Sequence, residues 1–266
     1  MAGVEQPGVL GLARELGRRP APAALEHEHA GTGFREPSFF ENYSTGFTVG
    51  NPDLQPEHSR SWELGLEQSL ARDRASLSAT FFDQRFVDMI DYNPSAAPGA
   101  PNYYNVAAAD ANGIEVGIRF APAGPMSVAA SYTYLRTEIT NPGFDASSGA
   151  LLAAGQPLTR RPRHSARLDA GYRLAARGAM SLAVTYVGDR QDQDFSTFPF
   201  PRVTLSTYTR VDLTAQLDVL RPRGGTPGFA VSSRVENLLD HAYEEVKNFP
   251  ARGRTVLLGG RVAWGL

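Results

Sequence analysis

The sequence predicts an all-β fold, an antiparallel transmembrane β-barrel contributing about ten strands. Three features predict it. Segment after segment alternates apolar and polar residues with a period of two, and the apolar members carry no charge. The connections between these segments are short and long in strict turn. Tyrosine and tryptophan sit on the apolar stripes, mostly near their ends.

In chain order, Trp62, Leu64 and Leu66 face away from Ser61, Glu63, Gly65 and Glu67. Leu77, Ala79 and Phe81 alternate with Ser76, Ser78 and Thr80, and Ile114, Val116, Ile118 and Phe120 with Glu115, Gly117 and Arg119. Val128, Ala130, Tyr132 and Tyr134 oppose Ser127, Ala129, Ser131 and Thr133. Ala166, Leu168, Ala170, Tyr172 and Leu174 oppose Arg167, Asp169, Gly171 and Arg173. Leu182, Val184 and Tyr186 alternate with Ser181, Ala183 and Thr185. Val211, Leu213, Ala215, Leu217 and Val219 alternate with Arg210, Asp212, Thr214, Gln216 and Asp218. Phe229, Val231 and Val235 oppose Ala230, Ser232, Arg234 and Glu236. Last, Val256, Leu258, Val262 and Trp264 oppose Thr255, Leu257, Arg261 and Ala263.

Successive side chains of a strand point to opposite faces, so every segment has one apolar and one mostly polar face. A charge facing lipid costs ~2–4 kcal/mol at the bilayer midplane, which explains why the stripes exclude it. Alternation alone also fits a soluble β-sandwich. Connection lengths separate the two. Residues 72–73, 122–125, 176–178 and 221–228 are short turns; 91–102, 141–162, 190–205 and 240–253 are long loops. Membrane barrels sort their connections in this way, with short turns periplasmic and long loops outside. Counting back from Leu266 places the first strand near Gly31, beginning on the short-turn side. Tyr132, Tyr134, Tyr172, Tyr186 and Trp264 then fall where interfacial girdles lie, although core packing would place them on the same faces.

Bulk composition agrees. Mean hydropathy is -0.29, and no run approaches the ~20 apolar residues of a membrane helix. The net charge of -2 gives no electrostatic case for nucleic acid. With no cysteine there is neither a disulfide scaffold nor a Cys-ligated zinc site. Residues 1–20 lack the pattern of a signal peptide. The 26 glycines and 19 prolines cluster between patterned segments, the punctuation of many strands and turns.

From Gly31 the chain resembles a known family. Gly31-Thr32-Gly33-Phe34-Arg35-Glu36-Pro37-Ser38-Phe39-Phe40-Glu41 leads to Asn51-Pro52-Asp53-Leu54-Gln55-Pro56-Glu57 and then to Trp62-Glu63-Leu64-Gly65. Tyr104-Asn105 and Gly113-Ile114-Glu115 follow at similar spacing. Near the end, Asn237-Leu238-Leu239-Asp240-His241-Ala242-Tyr243 forms an Asn-Leu-x-Asp-x-x-Tyr signature. Together these resemble the barrel of TonB-dependent outer-membrane receptors. Asn51, Pro52, Leu54, Pro56, Glu57, Asn237, Leu238, Asp240 and Tyr243 carry the resemblance most specifically. The stretch from Gly188 to Pro199 is similar to the vitamin B12 receptor branch.

The resemblance implies about ten strands of a larger, plugged barrel of about 22, incomplete at its N-terminal side. It implies an outer-membrane location and import of a large nutrient, a corrinoid or a ferric siderophore. The implied partners are outer-membrane lipid, the barrel assembly machinery, and the TonB complex acting through the plug, with no cofactor. The expected layout is an unmatched, disordered segment over residues 1–30 and the barrel section over 31–266. The plug and TonB box are expected to be missing from this chain, through a truncated gene or a misassigned start. Leu266 stands where the family usually ends in an aromatic residue, with Trp264 two positions earlier.

Ligand contacts in the family come from extracellular loops and the plug, so the candidates here are Tyr43, Tyr103, Tyr104, Phe195 and Phe198. Asn51-Pro52 and Pro56 read as turn chemistry. Asp189, Asp192 and Asp194 lack the Gly and terminal Glu of a calcium loop and read as solvated charges. His27 and His29 have no third ligand nearby and read as part of a tail, so no metal site is expected. His164, Ser165 and Asp169 do not make a hydrolase, because neighbouring strand residues diverge and there is no Gly-x-Ser-x-Gly elbow. No catalytic residue is expected. Arg160, Arg161 and Arg163 read either as a seat for an anionic ligand or lipopolysaccharide phosphate, or as charge at the membrane rim. Two rival readings remain at this stage: a small self-closed pore or adhesin barrel, and a soluble β-sandwich binding module.

Overall fold

The structure, a computed structural model, describes residues 24–93, 96–142, 153–175, 177–197 and 200–264. In chain order the elements are β1 (Ala24–Arg35), α1 (Phe39–Tyr43), β2 (Glu57–Leu70), β3 (Ala75–Tyr92), β4 (Tyr103–Phe120), β5 (Met126–Asn141), β6 (His164–Leu174) and β7 (Gly178–Val187). There follow β8 (Arg190–Gln193), β9 (Arg202–Leu205), β10 (Tyr208–Leu220), β11 (Gly228–Glu236), β12 (Glu244–Val246), β13 (Phe249–Pro250) and β14 (Thr255–Ala263). Ten strands form one sheet in the order β1-β2-β3-β4-β5-β6-β7-β10-β11-β14, every neighbour antiparallel.

The registers align the predicted stripes into one continuous band. Leu64 lies opposite Phe81, Phe81 opposite Ile114, and Ile114 opposite Tyr134. Farther on, Ala130 pairs with Leu168, Leu168 with Val184, Val184 with Val211, and Val235 with Val256. The band is the uncovered face of the sheet. In β2, Trp62, Leu64 and Leu66 are 48%, 49% and 46% exposed, while Ser61 and Glu63 are half-buried and Gly65 is buried. A sheet that curves towards its polar side produces this pattern. A soluble sandwich would press the apolar stripes against a second sheet; here they face outward, so that reading is excluded.

On β3, the outward stripe runs from Leu77 to Phe81 and turns polar at Asp83; on β4 it ends at Asn112 and on β5 at Arg136. Trp62 and Phe81 pair their rings at this border, with centroids 5.2 Å apart. Tyr132 and His164 meet there too, 2.8 Å between hydroxyl and Nδ1. β3 and β4, at 18 residues each, exceed the ~9–11 residues that span a bilayer, so they rise above the band on the long-loop side.

Two differences from the sequence reading stand out. β1 begins at Ala24, ahead of Gly31, and includes His27 and His29. Alternation of Glu26 and Glu28 with His27 and His29 offers no apolar stripe by which to detect a strand. The His27 ring instead packs over Gly65, where a Cβ would come within 2.1 Å of it. Residues 1–23 lie outside the described residues. Second, the loops expected at 190–205 and 240–253 contain the hairpins β8–β9 and β12–β13. These polar strands stand clear of the membrane band and so carry no period-two signal. Because β1 and β14 are the two ends of the strand order and pair on one side only, the small self-closed barrel is not the arrangement seen.

Candidate functional site

All long connections emerge at the same edge of the sheet, and two asparagine-centred anchors hold the first and the last of them. At the first, the Asn51 side chain donates to the Tyr103 carbonyl (2.9 Å) and accepts from the Asp53 amide (3.1 Å), closing a local turn. Leu54 is buried beneath it. Asn105 accepts from the Gln55 amide (2.7 Å) and donates to the Gln55 and Asp88 carbonyls. Glu57 takes a bidentate pair of bonds from Arg35, at 2.6 and 2.7 Å, and accepts from the Ile90 amide. Arg35 also reaches Glu41, which closes a capping box with Ser38 at the start of α1. Burial pushes the Glu41 carboxyl up, but bonds from Ser38 and Arg35 outweigh it and hold the group below the usual range.

At the second anchor, Asn237 is 2% exposed and sits at φ +51. Its amide nitrogen donates to the His241 and Arg252 carbonyls, its side-chain oxygen accepts from the His241 amide (3.0 Å), and its own backbone donates to Asp212 (2.9 Å). The Leu238 amide donates to the Val211 carbonyl, while Asp240 accepts from the Arg254 amide (2.7 Å). Tyr243 stacks on Tyr208 with centroids 4.0 Å apart. Thus the loop after β11 folds back over the inner wall and leaves a cavity of about 560 Å³ against it, bordered by Arg210, Tyr243, Glu245, Phe249 and Arg252.

Asp192 joins three of the long loops. It accepts from the Arg160 guanidinium (2.8 Å) and from the Lys247 amide (2.7 Å), with its side chain 1% exposed. Burial raises its carboxyl, yet the Lys247 and Gln193 amides and Arg160 hold it below the usual range. The Arg160 amide donates to Gln191, the Arg202 guanidinium to the Pro157 carbonyl, and the Arg190 guanidinium to the Glu244 carbonyl. Asp194 makes a similar tie, accepting from Ser196 in its own loop and from Asn248 (2.8 Å) in another. Asp192 is therefore a buried tie rather than a solvated charge, and the half-exposed Arg160 gives it its Nε–H. Among the described residues no cluster of three or more His, Asp or Glu side chains is placed to hold a metal.

The aromatic candidates fall into two groups. Tyr103 packs against Tyr92 (5.3 Å) and Phe40 (6.2 Å), and Tyr43 against Phe39 (5.0 Å). Tyr104, the next residue of β4, is half-buried and points to the opposite face from Tyr103, and Phe47 is 98% exposed on the loop that carries Tyr43. Phe195 pairs with Phe200 (5.7 Å) where the β8–β9 hairpin turns. Phe198 lies outside the described residues. Below the loops, the inner face carries strand ion pairs: Arg167 with Asp169, Arg210 with Asp212, and Arg234 with Glu236. His164 bonds to Tyr132 and Asp169 to Arg167, which leaves nothing resembling a hydrolase triad. Sequence reasoning missed Asp192, Arg190, Tyr208 and Asp212 as tie residues. Their partners lie in other loops, so no local pattern marks them.

An open antiparallel sheet whose outer band is free of charge from β2 to β14, with Glu26 and Glu28 of β1 facing outward beside it, a charged inner face and loops gathered at one rim is part of the wall of a large membrane β-barrel. The chain belongs to the TonB-dependent receptor family, whose β-barrel model, "TonB dependent receptor-like, beta-barrel", matches residues 30–238. That family is one of receptors and transporters, not of enzymes. The chain is 29% identical over 231 residues, 86% of its length, to the vitamin B12 transporter BtuB of Vibrio cholerae serotype O1, and covers 33% of that protein. Among solved structures, it resembles the siderophore receptor PiuA from Acinetobacter baumannii (TM-score 0.69, 18% identity, 92% of this chain and 34% of that one). It also resembles the ferripyoverdine receptor of the outer membrane of Pseudomonas aeruginosa (TM-score 0.66, 17% identity, 91% and 31%). The chain thus spans about a third of the length of the relatives it matches.

Proposed function

We propose that this chain forms part of the wall and outer rim of a TonB-dependent outer-membrane importer for a large nutrient, a corrinoid or a ferric siderophore. The observation that carries the reading is the outward band, free of charge from β2 to β14, under a rim of anchored loops, in a chain whose curated relatives include vitamin B12 transporters. Its outer face meets lipid, its inner face lines the import path, and energy from the TonB complex enters through a plug. The barrel assembly machinery inserts it. Tyr43, Tyr103, Tyr104, Phe195 and Phe198 supply stacking surface for the nutrient at the rim, since aromatic faces bind large conjugated ligands with little loss of side-chain freedom.

The lack of cysteine makes topology directly testable. Phe47→Cys should react with an impermeant maleimide on intact cells, whereas Gly124→Cys should react only after the outer membrane is opened. Equal labelling at both, or recovery of the chain in the soluble fraction, would overturn the barrel-wall reading. Radiolabelled cobalamin and ferric siderophores should then be offered to membranes bearing the chain. Retention of one class, reduced by Tyr103→Ala or Phe195→Ala, is the expected result; retention of neither removes the nutrient assignment.

A further inference from the structure

An electrostatic conflict is built into the outer face near β1. Arg60 of β2 stands directly opposite Arg85 of β3, on the face that carries Trp62, Leu64 and Leu66. Like charges in that relation destabilise a strand pair. Arg85 is 65% exposed and reaches Asp110 only at 3.9 Å. Among the described residues no ion pair reaches Arg60. Asp83, one row down on the same face, lies opposite Trp62.

The position of the pair is informative. It lies one outward row, roughly 7 Å along the strand, beyond Trp62, where the apolar band has ended and the lipid headgroups of the long-loop leaflet begin. A cavity of about 640 Å³ opens around it, bordered by Thr32, Phe34, His58, Arg60, Arg85 and Val87. Paired guanidinium forks match a phosphate group bidentately, and a phosphate between them turns their repulsion into attraction. Below, Leu64 and Leu66 with Phe81 and Ala79 of β3 offer an apolar track for the acyl chain of the same molecule, on the side away from Glu26 and Glu28 of β1.

We infer that Arg60 and Arg85 form a clamp for the phosphate of a membrane lipid, with its chain lying on the outer face of β2 and β3. The inference rests on the barrel-wall reading and adds a specific lipid contact to it. The height of the clamp and the track below it favour a lipid phosphate over a free one.

The test inserts the full chain into phosphatidylcholine vesicles containing either phosphatidic acid or diacylglycerol with the same acyl chains. Lipid retained after mild detergent extraction is counted by native mass spectrometry. The expected result is about tenfold greater retention of phosphatidic acid, abolished by Arg60→Gln or Arg85→Gln and preserved by Arg136→Gln. A second readout reverses sign. Arg60→Gln, which costs no ion pair, should raise the Tm in pure phosphatidylcholine by relieving the repulsion, and lower it when phosphatidic acid is present. Equal retention of the two lipids, no effect of either substitution, or full displacement by millimolar inorganic phosphate overturns the clamp while leaving the barrel wall standing. Failure of the chain to enter vesicles at all sinks both readings.

Discussion

The two asparagine anchors do the same job with different physics. Asn51 holds the loop after β1 at a half-exposed corner, and the charges around it, Arg35, Glu41 and Glu57, stay in contact with water. Asn237 holds the loop after β11 in a buried pocket, where neutral backbone groups supply most of its partners. Both asparagines belong to the motifs by which the chain resembles its family. Neither has a free polar group to offer a ligand. The comparison teaches that the most recognisable residues of this rim fix the paths of its loops, and that ligand chemistry is left to the less patterned aromatics between them. It also predicts a ranking, because a hydrogen bond lost in a buried site leaves its partners without water, whereas an exposed one is replaced by solvent.

The largest effect should come from Asn237→Ala. It strands two carbonyls and one amide in a buried site and places alanine at a left-handed φ, together about 3 kcal/mol. A urea titration of the chain in lipid vesicles, followed by Trp62 and Trp264 fluorescence, measures the loss. Asn237→Gly should recover part of it by relieving the backbone alone. A cost no greater than that of Asn51→Ala would erase the distinction between the anchors.

Asp192→Ala comes next, at about 2 kcal/mol, since it removes a charge-assisted bond and leaves the Lys247 amide unpartnered. Hydrogen exchange should speed up at Lys247 and at the Arg160 amide together, although the two belong to different loops. The pH dependence has a definite sign. The folded carboxyl is held below its unfolded value, so its contribution is complete above about pH 4 and disappears as the pH falls through the folded value. Exchange at Lys247 should therefore be flat from pH 7 to 5 once corrected for its intrinsic rate, and rise only in stronger acid.

The fold was legible because lipid imposes a period. Leu64, Phe81, Ile114 and Val184 each face a solvent that rejects charge, and that rejection writes every other residue of the strands. Above the membrane the constraint lapses. Arg190–Gln193 and Arg202–Leu205 pair as strands there with no apolar stripe. β1 breaks the period for another reason: its Glu28 and Glu26 lie opposite Leu64 and Leu66 at the depth of the band itself. The motif residues were visible as motifs, and Asn51-Pro52 as a turn. What could not be read was the partner of each: Asp192 finds Arg160 and Lys247, both far away in the chain, so a charge that looked solvated turned out to be buried.

The smaller predictions test whether the first anchor is as solvent-dependent as it looks. Asn51→Ala should cost about 1 kcal/mol, because Tyr103 and Asp53 can turn to water. Arg35→Gln should cost at most about 0.5 kcal/mol, even though its contacts to Glu57 are the shorter ones, because the guanidinium is 48% exposed and its attraction is screened. Salt separates the two. Raising ionic strength to about 1 M shrinks the screening length to ~3 Å and should remove the Arg35→Gln penalty while leaving that of Asn51→Ala intact. If the Arg35→Gln cost persisted in high salt, Glu57 would be losing a partner it cannot replace with water, and this corner of the rim would belong with the buried anchor.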